Sequence, residues 1–267
     1  MFDFHFISGF PRSGTTLLAA ILRQNPDFYS HIESPTGRLF VDVIGTLGYN
    51  SEAGIMVGDE QRIALQEAIM RGYYAPLSLP ENCTIFDNNR KWCANISAVG
   101  QVFPGAKVFA MVRPIAEVVD SMERLFHQNP LYASAMALGR RNLTTYDRIN
   151  LILNAQEGVV GWSYNAVRSA YYGLERGRLI IIEYADLARY PGDVFKMIHE
   201  KTGKPPFDYD FKHVKQIPGV EEFDRKIASP GMHLVQPEVK YVPLASAMPP
   251  DIMKHLYSTY QTFWRKK

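Results

Sequence analysis

The sequence predicts an α/β protein, doubly wound about a central parallel sheet, on three observations. First, short β-rich stretches occur at residues 4–8, 107–112 and 179–183, with a weaker one at 84–86. Second, Ile180, Ile181 and Ile182 run apolar without alternation, as a strand covered by helices on both faces requires. Third, helical patterns fall between the strands, at 15–23, 61–71, 115–126 and 146–175, and strand–helix alternation is the signature of a parallel sheet.

Each stretch has its own reason. Residues 4–8 are Phe-His-Phe-Ile-Ser and lead into a glycine, the pattern of a central strand ending in a tight turn. Residues 107–112 end at Arg113-Pro114, and Pro114 suits the first turn of the helix that follows. Near the end, Ile252, Leu256, Tyr260 and Phe263 recur at helical spacing, so 251–264 is expected to be a terminal packing helix. Two regions fit the plan poorly: 127–160, a long and mostly helical excursion, and 205–250, rich in Pro, Gly and charge. Within one domain spanning 1–267, both are expected to cover the acceptor site, because long irregular segments in compact domains serve as lids or binding loops.

Composition sets the outer limits. The chain has 267 residues, 46% hydrophobic and 21% charged, the make-up of an ordinary globular domain. A net charge of +2 gives no reason to expect a nucleic-acid partner. Cys83 and Cys93 are the only cysteines, too few for a disulfide framework or a four-cysteine zinc site, and no metal site is expected. No run of 18 apolar residues suggests a membrane span. With a strand beginning at Phe4, no secretory leader is expected, the location expected is cytoplasmic, and the N-x-Ser/Thr patterns at Asn82, Asn95 and Asn142 read as chance.

Chemistry begins at residues 9–16, Gly-Phe-Pro-Arg-Ser-Gly-Thr-Thr, directly between a strand and a helix. The spacing of Gly9 and Gly14 is that of a Walker A loop, in which backbone amides and a helix N-terminus face an anion. The lysine that follows the second glycine in a nucleoside triphosphatase is here Thr15, which removes the cation that reaches the β- and γ-phosphates. Arg12 stands inside the loop instead, so the loop is built for something other than Mg-ATP.

The string from Pro11 to Leu18, Pro-Arg-Ser-Gly-Thr-Thr-Leu-Leu, resembles the 5′-phosphosulfate loop of sulfotransferases that use 3′-phosphoadenosine 5′-phosphosulfate (PAPS). With Asn25-Pro26 after the helix, it is most similar to the tyrosylprotein and related bacterial type. That resemblance implies a P-loop NTPase-like three-layer fold and PAPS as donor, with 3′,5′-ADP as product and no metal. It also implies that Pro11, Arg12, Ser13, Gly14, Thr15 and Thr16 bind the donor. Arg113 closes a strand at the edge where α/β sheets bind ligands, and Ser121 follows eight residues later; a fork of donors plus a hydroxyl suits a phosphate monoester. The pair resembles the family's second motif, which implies that it reads the 3′-phosphate. Glu183-Tyr184-Ala185-Asp186-Leu187 resembles a third segment and implies Tyr184 near the adenine.

Sulfuryl transfer needs cations or donors at the leaving oxygen and a base for the acceptor hydroxyl. Arg12 and the amides at the start of the first helix answer the first need. For the base, the chain returns toward the loop near His31 and Glu33, and both remain candidates on position alone. The resemblance favours Glu33, which with Arg12 makes the expected catalytic pair. One departure stands out: Asn88 occupies the position where the family carries a lysine, so either Arg90 or Lys91 substitutes for it, or Asn88 donates a neutral hydrogen bond and the transition state is less well stabilised. Two other functions compete: a P-loop kinase with Asp87 holding Mg²⁺, and a binding protein of this fold that catalyses nothing. The expected partner is an acceptor bearing a hydroxyl, with peptide tyrosine or carbohydrate favoured.

Overall fold

The computed structural model describes residues 2–129, 143–243 and 245–265. Five parallel strands, β1 Asp3–Gly9, β2 Phe28–Ser30, β3 Thr84–Asn88, β4 Val108–Val112 and β5 Leu179–Glu183, form one sheet in the order β2-β3-β1-β4-β5. β1 lies at the centre, with Phe6 beside both Asp87 on β3 and Val108 on β4. Successive strand residues point to opposite faces. Phe6 accordingly joins Trp92, Phe103 and Val118 on one side, while Ile7 joins Leu18, Ile21, Phe86 and Phe109 on the other. Both sets are buried, so the sheet has helices on both faces and the strands read as continuous apolar runs.

Three expectations needed correction. β2 was not expected: Phe-Tyr-Ser is too short for a pattern, and it becomes a strand by pairing with Thr84–Phe86. Residues 146–175 do not form one helix but two, Thr145–Leu153 and Val159–Tyr172. Between them Asn154 Oδ1 accepts from the amides of Gln156 and Glu157, an Asx turn that competes with helix. The terminal helix is Pro250–Thr259, shorter than expected, and Phe263 and Trp264 pack beyond its end against Tyr164 and Phe10.

Residues 130–142, which include most of the unexplained part of the 127–160 excursion, lie outside the described residues. The described part packs as core through Ile149 and Ile152. Residues 205–250 are mainly irregular around one short helix, Val220–Lys226, and run across the carboxyl edge of the sheet. No helix of the described residues is long and apolar enough to cross a membrane.

Candidate active site

A cavity of about 560 Å³ opens at the carboxyl ends of the strands, in the size range of small-ligand sites. At its centre is the turn after β1. Gly9 has φ +120°, and a Cβ there would lie 2.0 Å from the Met111 carbonyl oxygen on β4, so only glycine fits. Arg12 (φ +57°) and Gly14 (φ +92°) take left-handed backbone and fold the loop onto the start of helix α1, Thr15–Leu22. The first helical bond runs from the Leu18 amide to Gly14, which leaves the amides of Thr15, Thr16 and Leu17 without intrahelical acceptors. α1 has no side-chain cap and no acidic residue in its first turn, so its partial positive charge faces the cavity that these residues line.

Of the loop residues, Pro11, Arg12, Gly14, Thr15 and Thr16 line the cavity and Ser13 does not. The Ser13 hydroxyl is fully buried and is placed to bond the carbonyls of Phe10 (2.6 Å) and Met111 (2.9 Å), bracing the turn against β4. Ser13, expected among the donor-binding residues, gives its side chain to the turn rather than to the cavity lining.

Strand order distributes the remaining groups. Arg113 follows β4, where its Nε donates to Glu117 (2.9 Å) and its guanidinium lies over the Tyr184 ring at 4.8 Å. Arg12 reaches the same end: Nε donates to Ser121 Oγ (3.2 Å) and Nη1 to the Met232 carbonyl. Burial and the nearby Arg113 charge push the Arg12 pKa below its ordinary value, a cost that a bound anion would relieve. Two arginines, a serine hydroxyl and an aromatic ring thus gather beside β4 and β5.

At the opposite end, after β2, Glu33 lines the cavity. Three consecutive side chains from the end of β3 hold the chain around it. Asn88 Nδ2 donates to the carbonyl of Ile32 (2.6 Å), and Asn89 Nδ2 to that of Ser34 (2.9 Å). Asp87 is enclosed in the core, accepting from Ser34, Thr36, Tyr74 and the Trp92 indole, with burial raising its pKa. Arg38 pairs with Asp42, and among the described residues no hydrogen bond or ion pair occupies the Glu33 carboxylate. His31, whose pKa burial lowers, does not line the cavity. Adjacent strands lie ~4.8 Å apart, so the β2 and β4 ends of the site are separated by roughly 14 Å.

Two alternatives from the sequence meet the structure here. Asp87 faces a closed ring of hydroxyls and an indole rather than the cavity, so the geometry of a Mg²⁺-holding carboxylate is not met. Asn88 holds the backbone before Glu33, and of the two candidate cations Arg90 lines the cavity, whereas Lys91 lies 5.6 Å above the Trp162 ring.

Sequence reasoning expected 205–250 as a cover but singled out no residue within it. Residues 232–236, 238–240 and 242 cover the cavity, and His233 within them is bonded to Asp224. The only signal in the sequence was a histidine nine residues after an aspartate in a stretch without periodicity.

The family model described as the sulfotransferase family matches residues 5–208. Among solved structures, the chain is similar to the sulfotransferase domain from the curacin biosynthetic pathway, at 16% identity over 97% of both chains with a TM-score of 0.50. It is also similar to a sulfotransferase from Alicyclobacillus acidocaldarius, at 18% identity over 84% of this chain and 89% of that one, with a TM-score of 0.52. At these identities the two structures speak for the fold. A search of curated proteins found no match.

Proposed function

The chain belongs to the sulfotransferase family, and on that premise we propose that it moves a sulfuryl group from PAPS to a peptide tyrosine or carbohydrate hydroxyl. One observation carries the reading: a single cavity has a cationic cluster at one end, an unpartnered carboxylate at the other, and a lysine-free phosphate loop between them. The residues present suit such a donor. A Cβ on Gly9 would strike the Met111 backbone and one on Gly14 the Tyr184 ring, so both glycines are needed for the loop to take this shape, and Arg12, Arg113 and Ser121 supply charge and donors for a phosphate.

The donor supplies an activated sulfuryl group, and the remaining work falls to the chain. Tyr184 offers a ring face for the adenine beside Arg113. Arg113 and Ser121 hold the 3′-phosphate, and Arg12, expected from the sequence at the leaving oxygen, is assigned beside them because its Nε donates to Ser121. The amides of Thr15 and Thr16 stabilise charge on the leaving oxygen, at fixed positions that need no reorganisation. Arg90 takes the place of the family's lysine on the acceptor side of the loop. Glu33 accepts the proton of the acceptor hydroxyl, and the bonds to Ile32, Ser34 and Thr36 hold it at the cavity edge while it does so.

The test is calorimetric titration in EDTA followed by a transfer screen. Binding of 3′,5′-ADP without metal, with its release from PAPS in the presence of tyrosyl peptides or glycans, is expected. Mg-dependent ATP binding instead would overturn the donor assignment, and 3′,5′-ADP binding with no transfer to any acceptor would make the protein a binding module.

A further inference from the structure

His233 sits in the roof of the cavity with its side chain 17% exposed, one residue after the carbonyl that Arg12 holds. It is anchored twice to Asp224, through its backbone amide (2.9 Å) and through Nδ1 (2.5 Å). Asp224 itself is 1% exposed, on the short helix Val220–Lys226, and the Phe223 ring meets the imidazole edge-on at 5.4 Å. A carboxylate at Nδ1 fixes the proton there and directs Nε2 away from Asp224; among the described residues Nε2 has no partner.

We propose that His233 is a donor-binding residue whose Nε2, protonated as ligand arrives, donates to a phosphate of the bound nucleotide beside Arg12, making donor binding a proton-uptake event. The inference rests on the PAPS reading above. The chemistry follows from the charges around the site. Glu117 already pairs with Arg113 and Glu238 with Lys240, so part of the cationic charge is balanced before ligand arrives. A 3′,5′-bisphosphate brings up to four negative charges, which favours one more cation in the roof. Asp224 is placed to stabilise the imidazolium, while Arg12 and Arg113 oppose it until the anion offsets them. The other ionisable groups lining the cavity, Arg12, Arg90, Arg113, Lys240, Glu33, Glu238 and Tyr184, are of types that ordinarily titrate well away from neutrality. Among the described lining residues, His233 is the only histidine. The anchoring also gives the residue a mechanical effect: a bond from Nε2 to the ligand would tie the roof, through Asp224, to the phosphate loop that Arg12 already joins to Met232.

The sign is fixed by linkage. If the imidazole pKa is higher in the complex than in the free protein, binding takes up a proton, and affinity is strongest below the free pKa and declines as pH rises through the bound pKa. The ligand's own phosphates gain charge over part of the same range with the opposite effect, so the informative quantity is the difference between wild type and His233→Gln.

The experiment is titration of the full chain with 3′,5′-ADP at pH 6, 7 and 8 in buffers of different ionisation heat, with the histidine signals followed by NMR. Wild type is expected to take up protons and to bind roughly tenfold more tightly than His233→Gln at pH 6, the advantage shrinking to about twofold by pH 8. The His233 imidazole signals should move toward those of the protonated ring on binding. Asp224→Asn, which removes the carboxylate that anchors the ring, should abolish most of the pH 6 advantage. If wild type binds 3′,5′-ADP with the same pH dependence and proton count as His233→Gln, or the His233 signal does not move, the proposal is overturned while the donor reading stands. If wild type does not bind 3′,5′-ADP at all, both fall.

Discussion

Replacing Arg113 by alanine tests the assignment of the two ends of the cavity. Arg113 is 20% exposed on its side chain, and its Nε is committed to Glu117 at 2.9 Å, which leaves the terminal nitrogens for a ligand. Losing a charge-assisted contact in such a shielded place costs about 2–3 kcal/mol. A second effect adds to it, because Glu117 is left without its partner and faces the incoming dianion. At a separation of ~8 Å and an effective dielectric constant of ~80, close to that of the water in the open cavity, Coulomb's law gives about 1 kcal/mol of repulsion between Glu117 and a dianion. Arg113→Ala should therefore weaken 3′,5′-ADP binding by about 3–4 kcal/mol, roughly 10²- to 10³-fold. Arg113→Ala/Glu117→Gln should recover about 1 kcal/mol, close to fivefold. Calorimetry with 3′,5′-ADP and with 5′-AMP, which lacks the 3′-phosphate, separates the possibilities; 5′-AMP affinity should change by less than about threefold. Equal losses for both ligands would show that Arg113 does not read the 3′-phosphate, and the division of the cavity argued above would be wrong.

Three further outcomes are expected. Glu33→Gln should keep 3′,5′-ADP affinity within about twofold and lower turnover about 100-fold or more, measured as 3′,5′-ADP release with a competent acceptor; near-normal turnover would exclude Glu33 as the base. Gly9→Ala should cost on the order of 3 kcal/mol or more in urea unfolding, because a Cβ would meet the Met111 carbonyl at 2.0 Å from a backbone with φ +120°; a stability within 1 kcal/mol of wild type (about the effect of an ordinary surface change) would show that the loop is more pliant than described. His5 is a buried imidazole whose pKa is lowered to about 4, mainly by burial, so it stays neutral in the folded protein. A depressed folded pKa contributes stability above the unfolded value of 6.5 that is lost as pH falls toward about 4. The expected loss across that window is about 3 kcal/mol or less, and His5→Asn should show a smaller one in denaturant melts at pH 7 and pH 4.5; an unchanged slope would mean that His5 is not the group responsible.

The sequence by itself determined what short-range physics encodes. Residues 9–16 state their own geometry, since glycines mark where backbone must turn and the following threonines start a helix. The isoleucine run at 180–182 announces a strand covered on both faces, and Arg113-Pro114 marks a strand end passing into a helix. The parallel sheet and the cradle for an anion were legible for that reason, and Glu33 entered through a resemblance rather than through any local pattern. The tertiary structure decided what depends on partners far apart in the chain. β2 exists because β3 offers three residues of parallel pairing, which its own Phe-Tyr-Ser cannot specify. Asn88 is a brace for the Ile32 carbonyl because the end of β3 lies beside the end of β2, 56 residues away in sequence. Arg12 meets Ser121 across 109 residues and Met232 across 220, so its direction within the loop could not be read from the loop. His233 acquires a fixed imidazole only because irregular backbone carries it back to Asp224 above the cavity. Backbone preference is a property of a few neighbouring residues; the orientation of a polar side chain is set by whichever donor or acceptor the fold brings to it, and that is settled only when the chain has closed on itself.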